Sequence, residues 1–207
     1  MTDDHVSDGT HVPDEVLYRA ARAIEDGELV VYPTETVYGL GADALSTAAV
    51  DRVFAAKGRD RSKPVSMAVP DVDRALEYVA PTAGTERFMR AFLPGPVTVV
   101  CRRGPDVPDV LTAGRDRVGV RVPDHEVALS LLERTATPVT ATSANLSGTG
   151  SAREVSAIDS TLRDRVTVAV DAGETPGGGS TVVDVEAGEV IRRGPNADAI
   201  DRWLAGE

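Results

Sequence analysis

Leu29-Val-Val-Tyr-Pro-Thr-Glu-Thr-Val-Tyr-Gly-Leu-Gly41 runs from a short apolar stretch into a turn rich in proline, glycine and threonine. The apolar part, 29–32, predicts a buried strand that ends at Pro33, because proline cannot donate to the hydrogen-bond ladder of a sheet. The glycines predict an unusual backbone path beyond it, with two threonine hydroxyls and Tyr38 facing whatever the turn encloses. The alternative is an ordinary connection from a strand to a helix.

Helical and strand patterns follow one another irregularly on both sides of this segment. Apolar spacing with caps such as Ser46 and stops such as Gly27 and Gly58 predicts helices at 14–26, 46–57, 71–79, 85–92, 128–134, 156–163 and 196–205. Short apolar runs predict strands at 29–32, 65–69, 97–102, 118–122, 139–142, 166–170, 181–185 and 190–192. Because the two kinds do not alternate strictly, we expect one α/β domain at 13–207, with a twisted, mixed parallel and antiparallel sheet flanked by helices. Residues 1–12 are predicted to be a disordered leader.

The composition excludes several classes of protein. A net charge of −11 argues against non-specific nucleic-acid binding, which needs a positive surface. Acidic excess with arginine in place of lysine is typical of a halophilic protein in a high-salt cytoplasm. The sequence contains no apolar stretch long enough to span a bilayer, and its acidic start does not resemble a signal peptide, so we expect a cytoplasmic protein without a membrane segment. A lone Cys101, in an apolar run, predicts a core residue rather than a disulfide.

Both lysines of the chain lie in Lys57-Gly-Arg-Asp-Arg-Ser-Lys63, whereas the other basic residues are arginines. Lysine offers a compact ammonium, and phosphate binding is a common reason to retain one. Four cationic side chains within seven residues should repel one another unless an anion lies among them. The segment is not a Walker sequence, so a nucleotide would be held by side-chain cations. The alternative is a solvated surface on which two lysines lie together by chance.

A third segment, Thr140-Ala-Thr-Ser-Ala-Asn-Leu-Ser-Gly148, leads from a predicted strand into a loop of hydroxyls and one amide. Open α/β sheets bind ligands at such strand ends. In the strand 118–122, Arg121 is expected to face away from the apolar side and to hold a carboxylate, with a surface ion pair as the alternative. The three histidines lack metal-ligand spacing, and His125 is predicted to be a solvated surface residue.

Together these segments resemble the YrdC-like family of L-threonylcarbamoyladenylate synthases. The matching pieces are YPTETVYGLG (32–41), KGRDRSKP (57–64), PGPVTVV (94–100), GVRVP (119–123), TSANLSG (142–148), STVVD (180–184) and IRRG (191–194). The resemblance implies a YrdC-like fold around a central cationic cavity, in the short, single-domain form. It also implies a nucleotidyltransferase that makes threonylcarbamoyl-AMP and pyrophosphate from L-threonine, bicarbonate and ATP, with Mg²⁺ bound to the ATP. The product would supply a tRNA threonylcarbamoyl-transferase complex that modifies adenosine 37 of tRNA.

The resemblance also implies roles for individual residues. Lys57, Arg59 and Lys63 would be catalytic, by neutralising the triphosphate. ATP would be bound by Lys57, Arg59, Arg61, Lys63, Arg117, Ser143, Asn145, Ser151 and Arg192. L-Threonine would be bound by Thr34, Ser66, Arg121, Ala141 and Ser180. No protein side chain is expected to hold a metal. Arg117 departs from relatives that often have threonine there, which leaves its nucleotide contact open.

Other functions are compatible with parts of this pattern. A relative without synthase activity could bind RNA, including tRNA, or could sense threonine or a nucleotide. The carbamoyl-adenylate-forming module of hydrogenase maturation proteins is a further possibility within the same fold. Pyrophosphate formation with and without bicarbonate separates a synthase from a sensor, and salt-dependent filter binding tests for RNA.

Overall fold

The computed structural model describes residues 12–206, and its centre is a nine-stranded sheet. The strands are short, as expected for segments that end at glycine and proline. They are β1 (Val30–Tyr32), β2 (Gly39–Gly41), β3 (Ser66–Ala68), β4 (Val97–Arg102), β5 (Arg117–Arg121), β6 (Val139–Ser143), β7 (Val168–Ala169), β8 (Thr181–Asp184) and β9 (Glu189–Arg192).

The α-helices pack on the faces of this sheet. They are α1 (Asp14–Glu25), α2 (Thr47–Lys57), α3 (Val72–Leu76), α4 (Ala83–Phe92), α5 (Asp109–Thr112), α6 (Glu126–Leu132), α7 (Ser160–Arg163) and α8 (Ala197–Ala205). The predicted cap of α2 is confirmed, because the Ser46 side chain accepts from the Ala49 N–H. Its predicted stop is confirmed as well, since Gly58 adopts the left-handed conformation.

The strand order β7-β1-β2-β6-β3-β5-β4-β8-β9 mixes both pairing directions. The pairs β1/β7, β3/β5 and β4/β8 are parallel, and the pairs β1/β2, β2/β6, β3/β6, β4/β5 and β8/β9 are antiparallel. The predicted fold class, a single α/β domain with a mixed sheet and flanking helices, is therefore confirmed.

The glycine-rich turn after β1 was expected to be irregular, but Gly39–Gly41 forms strand β2, antiparallel to β1. The aromatic ring of Tyr32 lies across this strand. A Cβ atom at Gly39 or at Gly41 would lie within 3.0 Å of that ring, closer than a real Cβ approaches. The glycines therefore make room for a buried tyrosine, a requirement that only the folded arrangement reveals.

Other boundaries differ by a few residues from the sequence predictions. The helix expected at 156–163 is in fact a 3₁₀ turn, Val155–Ala157, followed by α7, because the Asp159 side chain caps the new helix. The helix expected at 71–79 is shorter, since Asp71 is the cap of α3 and the α-helix ends at Leu76. The short helix α5 was not predicted at all.

Three buried clusters, rich in valine, alanine and leucine, form the core. Cys101 is fully buried in one of them, which confirms it as a core residue. The predicted leader, 1–12, lies outside the described residues except for Val12, which is buried against α1 and α6. Within residues 12–206 no helix is both long enough and apolar enough to cross a bilayer.

Candidate functional site

One cavity of about 590 Å³ opens over the strands β3, β5, β4 and β8, which are neighbours in the sheet. Its volume falls within the ~300–1,000 Å³ that small-molecule sites usually enclose. Polar side chains and glycines dominate its wall. The lining residues are Thr36, Val37, Arg59, Pro64, Val65, Ser66, Thr98, Val100, Arg115, Asp116, Arg117, Gly119, Arg121, Ala141, Thr142, Ser143, Ser151, Gly178, Gly179, Ser180, Val182, Asp184, Ile191 and Arg192.

Strand β5 supplies alternate residues to this cavity. Arg117, Gly119 and Arg121 face it, whereas Val118 and Val120 are buried in the core on the other side. Successive side chains of a strand point to opposite faces, so the predicted orientation of Arg121 is confirmed. Two arginines and one glycine thus form a continuous part of the cavity wall.

Arg121 forms an ion pair with Glu35, a residue that the sequence analysis did not single out. The Arg121 Nη2 donates to Glu35 Oε1 at 2.7 Å, and the two side chains are only 13% and 11% exposed. Thr34, predicted to contact L-threonine, does not line the cavity. Its hydroxyl donates to the Val37 carbonyl at 2.6 Å and accepts from the Thr36 and Val37 N–H groups, which shapes the turn that carries Glu35.

On the opposite wall, Ser180 joins three elements by hydrogen bonds. Its hydroxyl lies 2.7 Å from the Thr98 hydroxyl on β4 and accepts from Arg192 Nη2 at 2.9 Å. The Arg192 guanidinium also donates to the Ser180 carbonyl through Nε and Nη2. Desolvation and then the positive charge of nearby Arg121 lower the pKa of Arg192. Arg121 and Arg192 therefore face the same part of the cavity.

Of the lysine-containing segment, only Arg59 lines the cavity. Its guanidinium donates to the Lys63 and Pro64 carbonyls at 3.1 and 2.9 Å, which curls the segment around it. Arg61 instead pairs with Asp51 and lies over the Phe54 ring, and Lys63 is exposed to solvent. The structure does not bring Arg61 or Lys63 to the cavity, and their predicted contacts with ATP stay predictions.

Lys57 is buried beneath the loop that follows β6. Its ammonium donates to the Ser143 carbonyl and, at 2.6 Å, to the Asn145 carbonyl, and its own carbonyl accepts from the Ser147 N–H at 2.9 Å. Burial and then the charge of Arg59 lower the pKa of Lys57 to about 8, so it is still charged at neutral pH. Lys57 does not line the cavity, but it holds the loop that does.

That loop directs Ser143 into the cavity, whereas the Asn145 side chain forms its hydrogen bonds within the loop. The Ser143 hydroxyl donates to Asn145 Oδ1, and Asn145 Nδ2 donates to the Leu146 and Thr149 carbonyls at 2.7 and 2.8 Å. Asn145 therefore fixes the loop conformation here, and its predicted contact with nucleotide stays a prediction. Ser151, a few residues further on, lines the cavity.

Arg117 lines the cavity but is already paired. It donates to Asp184 Oδ1 at 2.7 Å and to Glu186 Oε2 at 3.1 Å. These partners occupy two sides of its guanidinium, so Arg117 contributes shape more than free positive charge to the wall. No local pattern indicates this pairing, because Asp184 lies on β8, two strands away from β5 in the sheet.

The predicted site residues thus divide into two groups. The larger group meets in the cavity and consists of Arg59, Ser66, Arg117, Arg121, Ala141, Ser143, Ser151, Ser180 and Arg192. The other group lies outside its wall and consists of Thr34, Lys57, Arg61, Lys63 and Asn145. Sequence reasoning singled out the Thr36 hydroxyl but missed Thr98, Arg115 and Glu35. The YPTET and PGPVTVV motifs contain Glu35 and Thr98 and are the only signal that could have located these two residues.

His125 was predicted to be solvated, and this prediction is wrong. It is half-buried at the start of α6, and desolvation lowers its pKa although Glu35 acts in the opposite sense. Residues 12–206 contain no cluster of three histidine, cysteine, aspartate or glutamate side chains that could hold a metal ion.

We expect Gly119→Ala to lower the free energy of unfolding by about 1–3 kcal/mol, because overpacking a well-filled site typically has this effect. The added Cβ would lie 2.9 Å from Thr98 Cγ2 and would also overlap the Ser66 hydroxyl. Urea denaturation measures the change. Gly179→Ala is the matched control, since that cavity-lining glycine has 3.8 Å of clearance to Arg192. Equal stabilities for both variants would contradict the tight packing at Gly119.

Comparisons with known proteins define the class and then the family. The family model for the Sua5/YciO/YrdC domain, described as Telomere recombination, matches residues 22–194. Threonylcarbamoyl-AMP synthase from Pyrococcus abyssi is 43% identical over 169 residues, which cover 80% of this chain and 49% of the relative. The Bacillus subtilis protein of the same name is 36% identical over 172 residues, covering 82% of this chain and 50% of the relative.

A crystal structure of Pyrococcus abyssi Sua5 complexed with L-threonine superposes with a TM-score of 0.79 and 40% identity, covering 84% of this chain and 52% of that one. The chain is therefore an α/β protein that shares its fold with Pyrococcus abyssi Sua5. It belongs to the Sua5/YciO/YrdC family. It spans about half the length of these relatives.

Proposed function

We propose that this chain is a nucleotidyltransferase that forms threonylcarbamoyl-AMP and pyrophosphate from L-threonine, bicarbonate and ATP. The observation that carries the proposal is a single cavity that contains Arg121, Ser180, Arg192, Ser143 and Arg59, from distant parts of the chain. The names of the relatives, and the L-threonine complex of one of them, support the same reading.

The amino-acid end of the site is proposed to lie between β5 and β8. Arg121 offers a guanidinium for the substrate carboxylate, and a bidentate pair of this kind fixes orientation as well as charge. Ser66 and Ser180 offer hydroxyls in the cavity wall, and Gly119, between Ser66 and Thr98, adds no side chain to it. Small polar groups around one clamp suit a short hydroxy amino acid, because unmatched buried polar groups discriminate against analogues that lack the hydroxyl.

The nucleotide end is proposed to lie toward Arg59, Ser143 and Ser151. Arg59 supplies positive charge for the phosphates and Ser151 supplies a hydroxyl donor, while the Ser143 hydroxyl, which donates to Asn145, lines the wall beside them. Lys57 acts here through the backbone of the Ser143–Asn145 loop. Arg192, which is held by Ser180 and lines the same cavity, is proposed to contact a phosphate.

The proposed chemistry needs no protein nucleophile. The amine of L-threonine attacks the carbon of bicarbonate, and loss of water leaves a carbamate. A carbamate oxygen then attacks the α-phosphorus of ATP, which breaks the bond to pyrophosphate and leaves the mixed anhydride. Holding these reactants in line supplies about 7–11 kcal/mol of the barrier. Arginines that stabilise the negative charge developing on the phosphates lower the remaining part of the barrier.

Magnesium is proposed to enter with ATP, since Mg²⁺ is usually held by substrate phosphates, waters and one or two carboxylates. When bound, it neutralises phosphate charge. Asp116 lines the cavity and forms no ion pair within residues 12–206, whereas Asp184 is held by Arg117. Asp116 is therefore proposed as the one carboxylate that joins the phosphates, in place of the sequence expectation that no side chain holds a metal. A tRNA threonylcarbamoyl-transferase complex in the cytoplasm is the proposed consumer of the adenylate.

Pyrophosphate release should require L-threonine, bicarbonate and ATP together, and the nucleotide product should be threonylcarbamoyl-AMP by mass spectrometry. The decisive measurement is omission of each reactant in turn from a bicarbonate-depleted buffer. ATP binding without pyrophosphate release would indicate a sensor and refute the synthase. Salt-dependent tRNA binding without turnover would instead indicate an RNA-binding protein.

A further inference from the structure

Behind the cavity wall lies a carboxylate, that of Glu35, to which the proposed reaction assigns no role. Glu35 lies on the turn after β1 and accepts from Arg121 Nη2 at 2.7 Å. The Glu35 side chain is 11% exposed, and Glu35 does not line the cavity although its neighbours Thr36 and Val37 do. The carboxylate therefore contacts Arg121 from the side that faces the protein.

The turn that carries Glu35 is held rigidly. The Thr34 hydroxyl bonds to the carbonyl of Val37 and to two N–H groups, and it lies 3.0 Å from the Thr36 hydroxyl. The Gly177 N–H also donates to the Thr36 carbonyl at 2.6 Å, which ties the turn to the glycine-rich segment on the far wall. The position of a carboxylate on such a turn is fixed by these hydrogen bonds, so the carboxylate sets the orientation of the Arg121 guanidinium.

The pair uses only part of its bonding capacity. Within residues 12–206, Glu35 Oε2 and Arg121 Nε are buried without a hydrogen-bond partner, and Arg121 Nη1 donates to no residue. An arginine has five N–H donors in a planar fork, so one bond to Glu35 leaves most of them for another acceptor. The guanidinium is thus held by one hydrogen bond from Nη2, and its other N–H groups have no partner within residues 12–206.

The charges around the pair add a second argument. Arg121 lies near Arg192, which has its pKa lowered by desolvation and then by Arg121. The other titratable neighbours of Glu35 are Tyr32, with a pKa raised by burial to about 12, and His125, with a pKa lowered by desolvation. Two arginines and one glutamate leave one positive charge, which matches one substrate carboxylate.

We infer that Glu35 is a positioning residue for Arg121, which it orients from behind so that the free part of the guanidinium receives the carboxylate of the amino acid. The inference rests on the proposed function, in which Arg121 binds that carboxylate. Arginine has a long side chain whose ordering lowers affinity when it occurs on binding. With Glu35 in place, this ordering is complete before the substrate arrives.

Glu35→Ala should raise the Kd for L-threonine at least about tenfold, because the Arg121 guanidinium loses its fixed direction and has to be ordered when the substrate binds. Glu35→Gln keeps an oxygen that accepts from Nη2, so its Kd should rise only about threefold, as a neutral acceptor is weaker. The Kd for ATP should change less than about twofold in both, since Glu35 contacts no nucleotide group. Isothermal titration with L-threonine and with ATP measures all of these values, and Glu25→Ala, at an exposed site on α1, is the control.

Any of four results would overturn the inference. Wild-type affinity for L-threonine in Glu35→Ala would show that Arg121 needs no positioning, and the proposed function would stand. Equal weakening of L-threonine and ATP binding would show a merely structural role. If Glu35→Ala does not fold by circular dichroism, an unchanged Kd in Glu35→Gln has the same force. Failure of the wild-type chain to bind L-threonine at all would overturn both the inference and the proposed function.

Discussion

Lys57→Ala is expected to lower ATP-dependent pyrophosphate release at least about tenfold while the far-ultraviolet circular dichroism remains that of the wild type. The ammonium donates to the carbonyls of Ser143 and Asn145, and hydrogen bonds to charged groups contribute about 1.5–3 kcal/mol each. A loss of about 1.4 kcal/mol in transition-state stabilisation already lowers the rate tenfold. Without Lys57, the loop that presents Ser143 to the cavity loses its support.

The other lysine provides the comparison. Lys63 is exposed and does not line the cavity, so Lys63→Ala should have a much smaller effect on pyrophosphate release than Lys57→Ala. Lys57→Met keeps the length of the side chain but not its charge, and it should be as impaired as the alanine variant. An equal loss in Lys57→Ala and Lys63→Ala would contradict the loop-holding role, because it would indicate that both ammonium groups meet the phosphates directly.

The fold was largely predictable because its signals are local. Ser46 and Gly58 mark the ends of α2, and the alternation of valine with arginine in β5 predicts which face is buried. The strand β2 was missed, since three residues with two glycines carry no strand pattern of their own. Its existence depends on the ring of Tyr32, which fills the space that the glycines leave.

The site was predictable in part, and the limit has a physical cause. Motifs locate the segments that meet in the cavity, and Arg121, Ser180 and Arg192 do meet there. Motifs do not tell which polar atoms the fold uses for itself. The Thr34 hydroxyl shapes a turn and the Lys57 ammonium supports a loop, and both contacts join groups whose proximity only the tertiary structure determines.

Arg121→Ala is expected to weaken L-threonine binding at least about 100-fold, the largest effect on binding that we predict, because truncating one partner of a buried charge pair costs about 2–5 kcal/mol. Two changes add together in this variant. The substrate carboxylate loses its partner, and Glu35, which is 11% exposed, is left as an uncompensated negative charge near the same place. Isothermal titration with L-threonine measures the loss, and ATP should still bind within about threefold of wild type.

The effect of the uncompensated Glu35 charge can be separated from the loss of the Arg121 guanidinium. In the double variant Arg121→Ala with Glu35→Gln, the uncompensated charge is gone, so part of the lost affinity should return although the clamp is still absent. Arg102→Ala is the control, because Arg102 is an exposed strand arginine outside the cavity wall. Wild-type L-threonine binding by Arg121→Ala would show that the carboxylate is held elsewhere. Equal affinities in the single and double variants would show that the Glu35 charge does not reach the substrate, and that Arg121 acts on the carboxylate alone.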